Sequence, residues 1–136
     1  MGNTLSIKKI NYEDLQYAIK HPDMYLIINT MSHSEQHCLI TNTTYANDEE
    51  NFINSYINTN KSINIIIYGK NYGDDTLIHK YQQLYSLGFY NIFVYPGGMF
   101  EWLMLQDIYG NELFPTTNKE IDFLKYKYSS SFTINH

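Results

Sequence analysis

The stretch best equipped for chemistry is Gly69-Lys70-Asn71-Tyr72-Gly73-Asp74-Asp75. It follows the β-branched run Ile63-Asn64-Ile65-Ile66-Ile67-Tyr68, which has a strand's composition. It precedes Thr76 to Leu87, where Leu77, Tyr81, Leu84, Tyr85 and Leu87 recur at helical spacing. A loop that leaves the carboxyl end of a strand and feeds a helix can aim several backbone N–H groups at one anion. The side chains here oppose an incoming anion. Asp74 and Asp75 put negative charge where it would sit, and Lys70 offsets only part of it. Either aspartate also suits the cap or the first turn of the following helix. Gly69 leaves room at the head of the loop, and Tyr72 is placed to stack on a flat ligand. The loop therefore reads either as a small-molecule pocket or as an emptied site. N–H groups converging on open space would favour the first; an aspartate or Tyr72 filling that space would disfavour it.

Three other places hold reactive side chains. His33, Glu35, His37 and Cys38 are all of metal-binding type, and His33 and His37 would share a face on a helix. A closed site needs four placed ligands and a second shell, and only the distant His79 and His136 could add to the set. No metal and no cofactor are expected. Cys38, the one cysteine, opens the apolar run Cys38-Leu39-Ile40. As a nucleophile it would need exposure and a lowered pKa; as a buried residue it is a small hydrophobe. At the N-terminus, Gly2 with Ser6 fits the pattern for N-myristoylation, and Lys8 and Lys9 follow. One acyl chain binds a membrane only loosely, so a second hold would be needed.

These residues depend on a repeating pattern of elements. A first strand is expected over Leu5 to Ile10. Asn11 should cap a helix with Leu15, Ala18 and Ile19 on its buried face. Met24 to Ile28 reads as a buried strand and Cys38 to Ile40 as a short one. Tyr45 to Asn60 reads as a helix with acids in its first turn and Phe52, Ile53, Tyr56 and Ile57 at helical spacing. After the site loop and its helix, Gly88 stands where a left-handed cap glycine belongs. Asn91-Ile92-Phe93-Val94-Tyr95 is another buried strand, followed by a turn at Pro96-Gly97-Gly98 and a helix containing Trp102 that Gly110 can end. Strand, loop, helix, strand is a βαβ unit, so Ile63–Tyr68 and Asn91–Tyr95 should be parallel neighbours. Glu120 to Tyr128 could form a last helical turn or two, and residues 129–136 read as a loose tail.

The Ile-Ile-Ile-Tyr run, the loop, the helix ending Leu87-Gly88-Phe89, and the series Asn91 to Gly98 with Trp102 together resemble the second half of a rhodanese (sulfurtransferase) domain. The resemblance is strong over Ile63–Trp102 and weaker before it. It implies an α/β fold: a single rhodanese-like domain over residues 1–128, a central and mostly parallel five-stranded sheet, and helices on both faces. It also implies a nucleophilic cysteine directly after the tyrosine, often with an arginine near the loop's end. This sequence has Gly69 and Asp74 there, and Asn29-Thr30 where an Asp-Arg-like pair ends the earlier strand. A persulfide needs a sulfur, and Gly69 has no side chain. The expectation is a catalytically inactive rhodanese-like module that binds a partner protein. A pocket at the loop and sulfur transfer through Cys38 are the alternatives.

At 136 residues, with 43% hydrophobic and 16% aromatic residues, the chain is long enough for one domain with its own core. A net charge of −5 without any basic stripe argues against nucleic acid as a partner. One cysteine permits no intrachain disulfide, no signal peptide is evident, and no apolar run approaches a membrane span. A cytoplasmic location is expected, extending to the cytoplasmic face of a membrane if Gly2 is acylated.

Overall fold

In the computed structural model, which describes residues 7–132, the alternation of elements closes into one five-stranded sheet. In chain order the elements are β1 (Lys8–Lys9), α1 (Tyr12–Ile19), β2 (Tyr25–Asn29), β3 (Thr43–Thr44), α2 (Ala46–Thr59), β4 (Asn64–Tyr68), α3 (Thr76–Ser86), β5 (Ile92–Val94) and α4 (Gly98–Tyr109). Short 3₁₀ turns cover His33–Glu35 and Phe123–Tyr126. The sheet order is β1-β5-β4-β2-β3, and every pairing is parallel. The expected βαβ unit is present: β4 and β5 are neighbours, with Ile66 opposite Phe93 and Ile67 opposite Val94.

Burial explains why β2 and β4 read as continuous apolar runs. A strand alternates its side chains between two faces, and here both faces are covered. Ile27, Ile66 and Tyr68 join Leu15 and Ala18 of α1 and Met99, Trp102 and Leu103 of α4. Leu26, Ile28, Ile65 and Ile67 join Ile53 of α2 and Leu77, Tyr81 and Leu84 of α3. Asn11 starts α1 as its spacing predicts. Its side chain accepts from the Asp14 N–H, while the Asp14 carboxylate accepts from the Asn11 N–H.

One strand lies elsewhere than expected. Cys38, Leu39 and Ile40 are fully buried but do not form a strand of the sheet, whose edge is instead Thr43–Thr44 paired with Ile27 and Ile28. The turn at Asn42 takes a φ of +70°, a conformation asparagine tolerates better than most residues. Leu39 and Thr41 find their backbone partners in the C-terminal stretch, where Thr117 N–H donates to the Leu39 carbonyl and Thr41 N–H to that of Pro115. Ile40 meets Thr116 in a single antiparallel bridge. Of the first strand, Lys8–Lys9 pairs with β5, and Ile10 N–H donates to the Val94 carbonyl at 2.9 Å. Leu5 and Gly2 lie outside the described residues.

The Ile40 N–H is satisfied by a side chain. It donates to the hydroxyl of fully buried Tyr68 at 3.1 Å, and that hydroxyl also shares a hydrogen bond with Thr43 Oγ1 at 2.8 Å. Tyr68→Phe strands this buried amide, so the variant should lose about 1–3 kcal/mol of stability. Urea unfolding should show this as a lower midpoint with an unchanged slope.

Candidate functional site

The site loop leaves β4 at Gly69 and enters α3 at Thr76, with the first turn of α4 packed beneath it. Its carbonyls are held by that turn: Met99 N–H donates to Gly69 at 2.9 Å and Phe100 N–H to Lys70 at 2.8 Å. The amides at the start of α4 are thus spent on the loop itself. Gly98 has a φ of +66°, and an added Cβ would lie 2.7 Å from the Gly69 carbonyl oxygen. This close approach of two backbones accounts for the second glycine of Pro96-Gly97-Gly98.

The amides at the two ends of the loop, Lys70 and Thr76, meet the Asp74 carboxylate. One of its carboxylate oxygens accepts from the Lys70 N–H at 3.2 Å. The other accepts from the Thr76 N–H at 3.0 Å and from the Thr76 hydroxyl. The Thr76 hydroxyl also lies 2.6 Å from Thr30 Oγ1, which joins the end of β2 to the same cluster. A carboxylate supplied by the chain therefore takes up both of these amides. Gly69 is part of this arrangement, because a Cβ built on it would overlap Asp74 Oδ2 and lie 2.7 Å from Thr30 Oγ1. Asp74, rather than Asp75, makes the side-chain bond at the start of α3; Asp75 holds the cap position without one.

The other residues of the loop find partners as well. Lys70 Nζ pairs with Glu35 at 2.7 Å. Asn71, buried although it lies in a loop, accepts from the Gly73 N–H at 2.9 Å and donates to the Tyr126 carbonyl at 2.8 Å. Tyr72 stacks on Tyr128, with ring centroids 5.0 Å apart. The space left at the mouth is a cavity of about 420 Å³ whose walls include Thr30, Glu35, Lys70, Asp74 and Tyr128. A larger groove of about 730 Å³ runs beside it between α2 and α3, crossed by the Lys80–Glu49 ion pair. Where the rhodanese resemblance implies a charged pair, Asn29 ties the 3₁₀ turn to the sheet. It accepts from the Met31 N–H at 3.1 Å and exchanges amide hydrogen bonds with Gln36.

Cys38 stands apart from the loop. Its sulfur is fully buried and donates to the Asn118 carbonyl at 3.2 Å, and burial pushes the thiol pKa up. That is the opposite of what a nucleophile needs. His33 bonds Asn47 at 2.8 Å and His37 bonds Glu120 at 3.2 Å, so the two histidines are engaged separately. Among the described residues no group of three or more His, Cys, Asp or Glu is placed to hold a metal ion. Nor, among them, is any helix long and apolar enough to cross a membrane.

Sequence reasoning missed Tyr126 and Tyr128 as neighbours of the site. They lie more than fifty positions from Asn71 and Tyr72, and no local pattern links the two stretches.

No family model matches the chain, and no curated protein matches it. Solved structures do. The crystal structure of the Alr3790 protein from Anabaena sp. superposes with a TM-score of 0.58 at 21% identity, over 84% of this chain and 83% of that one. The solution NMR structure of the rhodanese-like domain of the same Anabaena protein gives a TM-score of 0.59 at 19% identity, over 85% and 82%. With its parallel sheet, two-sided helical cover and site loop between β4 and α3, this chain has the rhodanese-like fold.

Proposed function

We propose that this protein is a rhodanese-like module without sulfurtransferase chemistry, and that it works by binding another protein. The observation carrying this reading is Asp74. Its carboxylate takes the Lys70 and Thr76 amides that an anionic substrate would need, beneath a Gly69 that offers no sulfur. A filled cradle also weighs against a small anionic ligand at the loop, and the buried Cys38 thiol weighs against sulfur transfer from there. The test is thiosulfate:cyanide sulfur transfer by the unmodified protein, with no turnover above buffer expected. Clear turnover that is lost in Cys38→Ser would replace this reading with catalysis by Cys38.

A tether at Gly2 is a second proposal, motivated by Gly2, Ser6, Lys8 and Lys9 in one run. Lys8 and Lys9 are both exposed, the Lys8 ammonium lying 5.5 Å from the Phe93 ring centroid, and exposed cations of this kind attract anionic lipid. Protein made in a eukaryotic host should show the mass of one myristoyl group on Gly2 and divide between membrane and soluble fractions. An intact mass with free Gly2 or retained Met1 would remove the membrane from this account.

A further inference from the structure

The chain after α4 crosses the molecule and reaches the site loop. It is fastened first beside the buried Cys38–Ile40 stretch, where Leu39 N–H donates to Thr117 Oγ1 at 3.0 Å and Thr117 N–H returns to the Leu39 carbonyl at 2.8 Å. Next comes an ionic knot at Glu120, which pairs with Lys125 at 2.7 Å and His37 at 3.2 Å. Lys125 first, then His37, hold the Glu120 carboxyl well below its usual range, at about 2. The 3₁₀ turn then sets Phe123 against Phe100 of α4, with centroids 5.9 Å apart, and buries Tyr126.

The last contacts fall on the site loop itself. The Asn71 side chain ties two things at once, donating to the Tyr126 carbonyl and accepting from the Gly73 N–H. The Tyr128 ring stacks on Tyr72 and lies so close over Gly73 that even a Cβ there would overlap it. Tyr128 and Ser129 then form one wall of the mouth. The loop under this cover has little apolar burial of its own. Tyr72 stays 70% exposed even while stacked. Segments of that kind open locally at low free energy unless something outside them adds contacts.

We propose that residues 123–129 are a strap that holds the site loop in its carboxylate-filled form, so that displacing the strap is what opens the loop. Asn71, Gly73 and Tyr128 are its fastening points. The strap acts on the resting shape of the loop, whatever partner the protein takes.

Hydrogen exchange on the full chain tests this, because it reads loop opening directly. In Tyr128→Ala and in Gly73→Ala, the amides of Lys70 and Thr76 should exchange roughly three- to tenfold faster, the range expected for loss of an aromatic pair. The Gly73 amide, read in Tyr128→Ala alone, should accelerate with them. Amides of Ile65, Ile66 and Ile67 in the sheet should not change. Tyr128→Phe keeps the stack and should keep the slow exchange. Adding Gly73→Ala to Tyr128→Ala should bring little further acceleration, because both changes act on one contact. Unchanged loop exchange in both single variants would overturn the strap. So would equal acceleration of loop and sheet, which would make Tyr128 a general packing residue. Neither result depends on sulfur-transfer activity, so this inference and the proposed function fail separately.

Discussion

Gly98→Ala is expected to destabilise the protein by about 3 kcal/mol or more, while Gly97→Ala costs about 1–2 kcal/mol. The two glycines are adjacent and begin the same helix, so the contrast tests the geometry of the loop and not glycine content. Gly98 sits at a φ of +66°, which strains any residue with a Cβ. The atoms its Cβ would meet are the Gly69 carbonyl oxygen at 2.7 Å and, at 2.8 Å, the Asn71 amide nitrogen and the Lys70 carbonyl carbon. All are backbone, and none can rotate aside. Relief requires α4 and the site loop to separate, which breaks the Met99 and Phe100 bonds to Gly69 and Lys70. Gly97 has an ordinary helical φ of −60°, and the atoms nearest its Cβ would be those of the Glu101 carboxylate, the far end of a side chain. Moving Glu101 loosens its bond to the hydroxyl of buried Tyr95, which sets the smaller cost. Urea unfolding of both variants checks this, and equal losses would mean that α4 does not press on the loop as described.

What could be read in advance follows the range over which each cause acts. The β4–loop–α3–β5 unit was legible because its signals are local. Four isoleucines in β4 and the preceding residue demand cover on two faces, and the structure supplies it. Gly88 caps α3 at a φ of +102°, with its own N–H on the Tyr85 carbonyl and that of Phe89 on Leu84. Trp102 points inward at 0% exposure and donates to the Pro115 carbonyl at 3.1 Å. Leu39 and Ile40 mislead because they are as buried as strand residues, yet residues 115–117 cover their backbone from far along the chain. The loop was half legible. Its two aspartates announce negative charge, but only the fold shows that one carboxylate bends back onto the Lys70 amide while the other stands at the cap without a bond. Nothing near Gly73 in the sequence points to Tyr128.

Gly69→Cys, the change that places a sulfur at the head of the loop, is expected to produce a less stable protein and no enzyme. The new Cβ overlaps Asp74 Oδ2 and crowds Thr30 Oγ1 at 2.7 Å. Either the cysteine or the carboxylate must yield. If Asp74 leaves, the Lys70 and Thr76 amides lose their acceptor, and hydrogen bonds to a charged group are among the costlier ones to break. With the overpacking included, the loss should be on the order of 3 kcal/mol. If Asp74 stays, its charge opposes both the thiolate and any thiosulfate that approaches. Sulfur transfer should therefore remain at background in the single variant. Gly69→Cys combined with Asp74→Ala removes the overlap and empties the cradle, so the pair should be less damaging than the two single losses added together. Gly69→Cys with Asp74→Arg should go further, giving measurable though slow turnover, because a cation then faces the anion beneath a free sulfur. The checks are urea midpoints for these three variants and for Asp74→Ala alone, and thiosulfate:cyanide turnover for each. Full stability in Gly69→Cys, or turnover from it with Asp74 in place, would show that the carboxylate does not hold the cradle. The proposed lack of sulfur transfer would then rest on Gly69 alone.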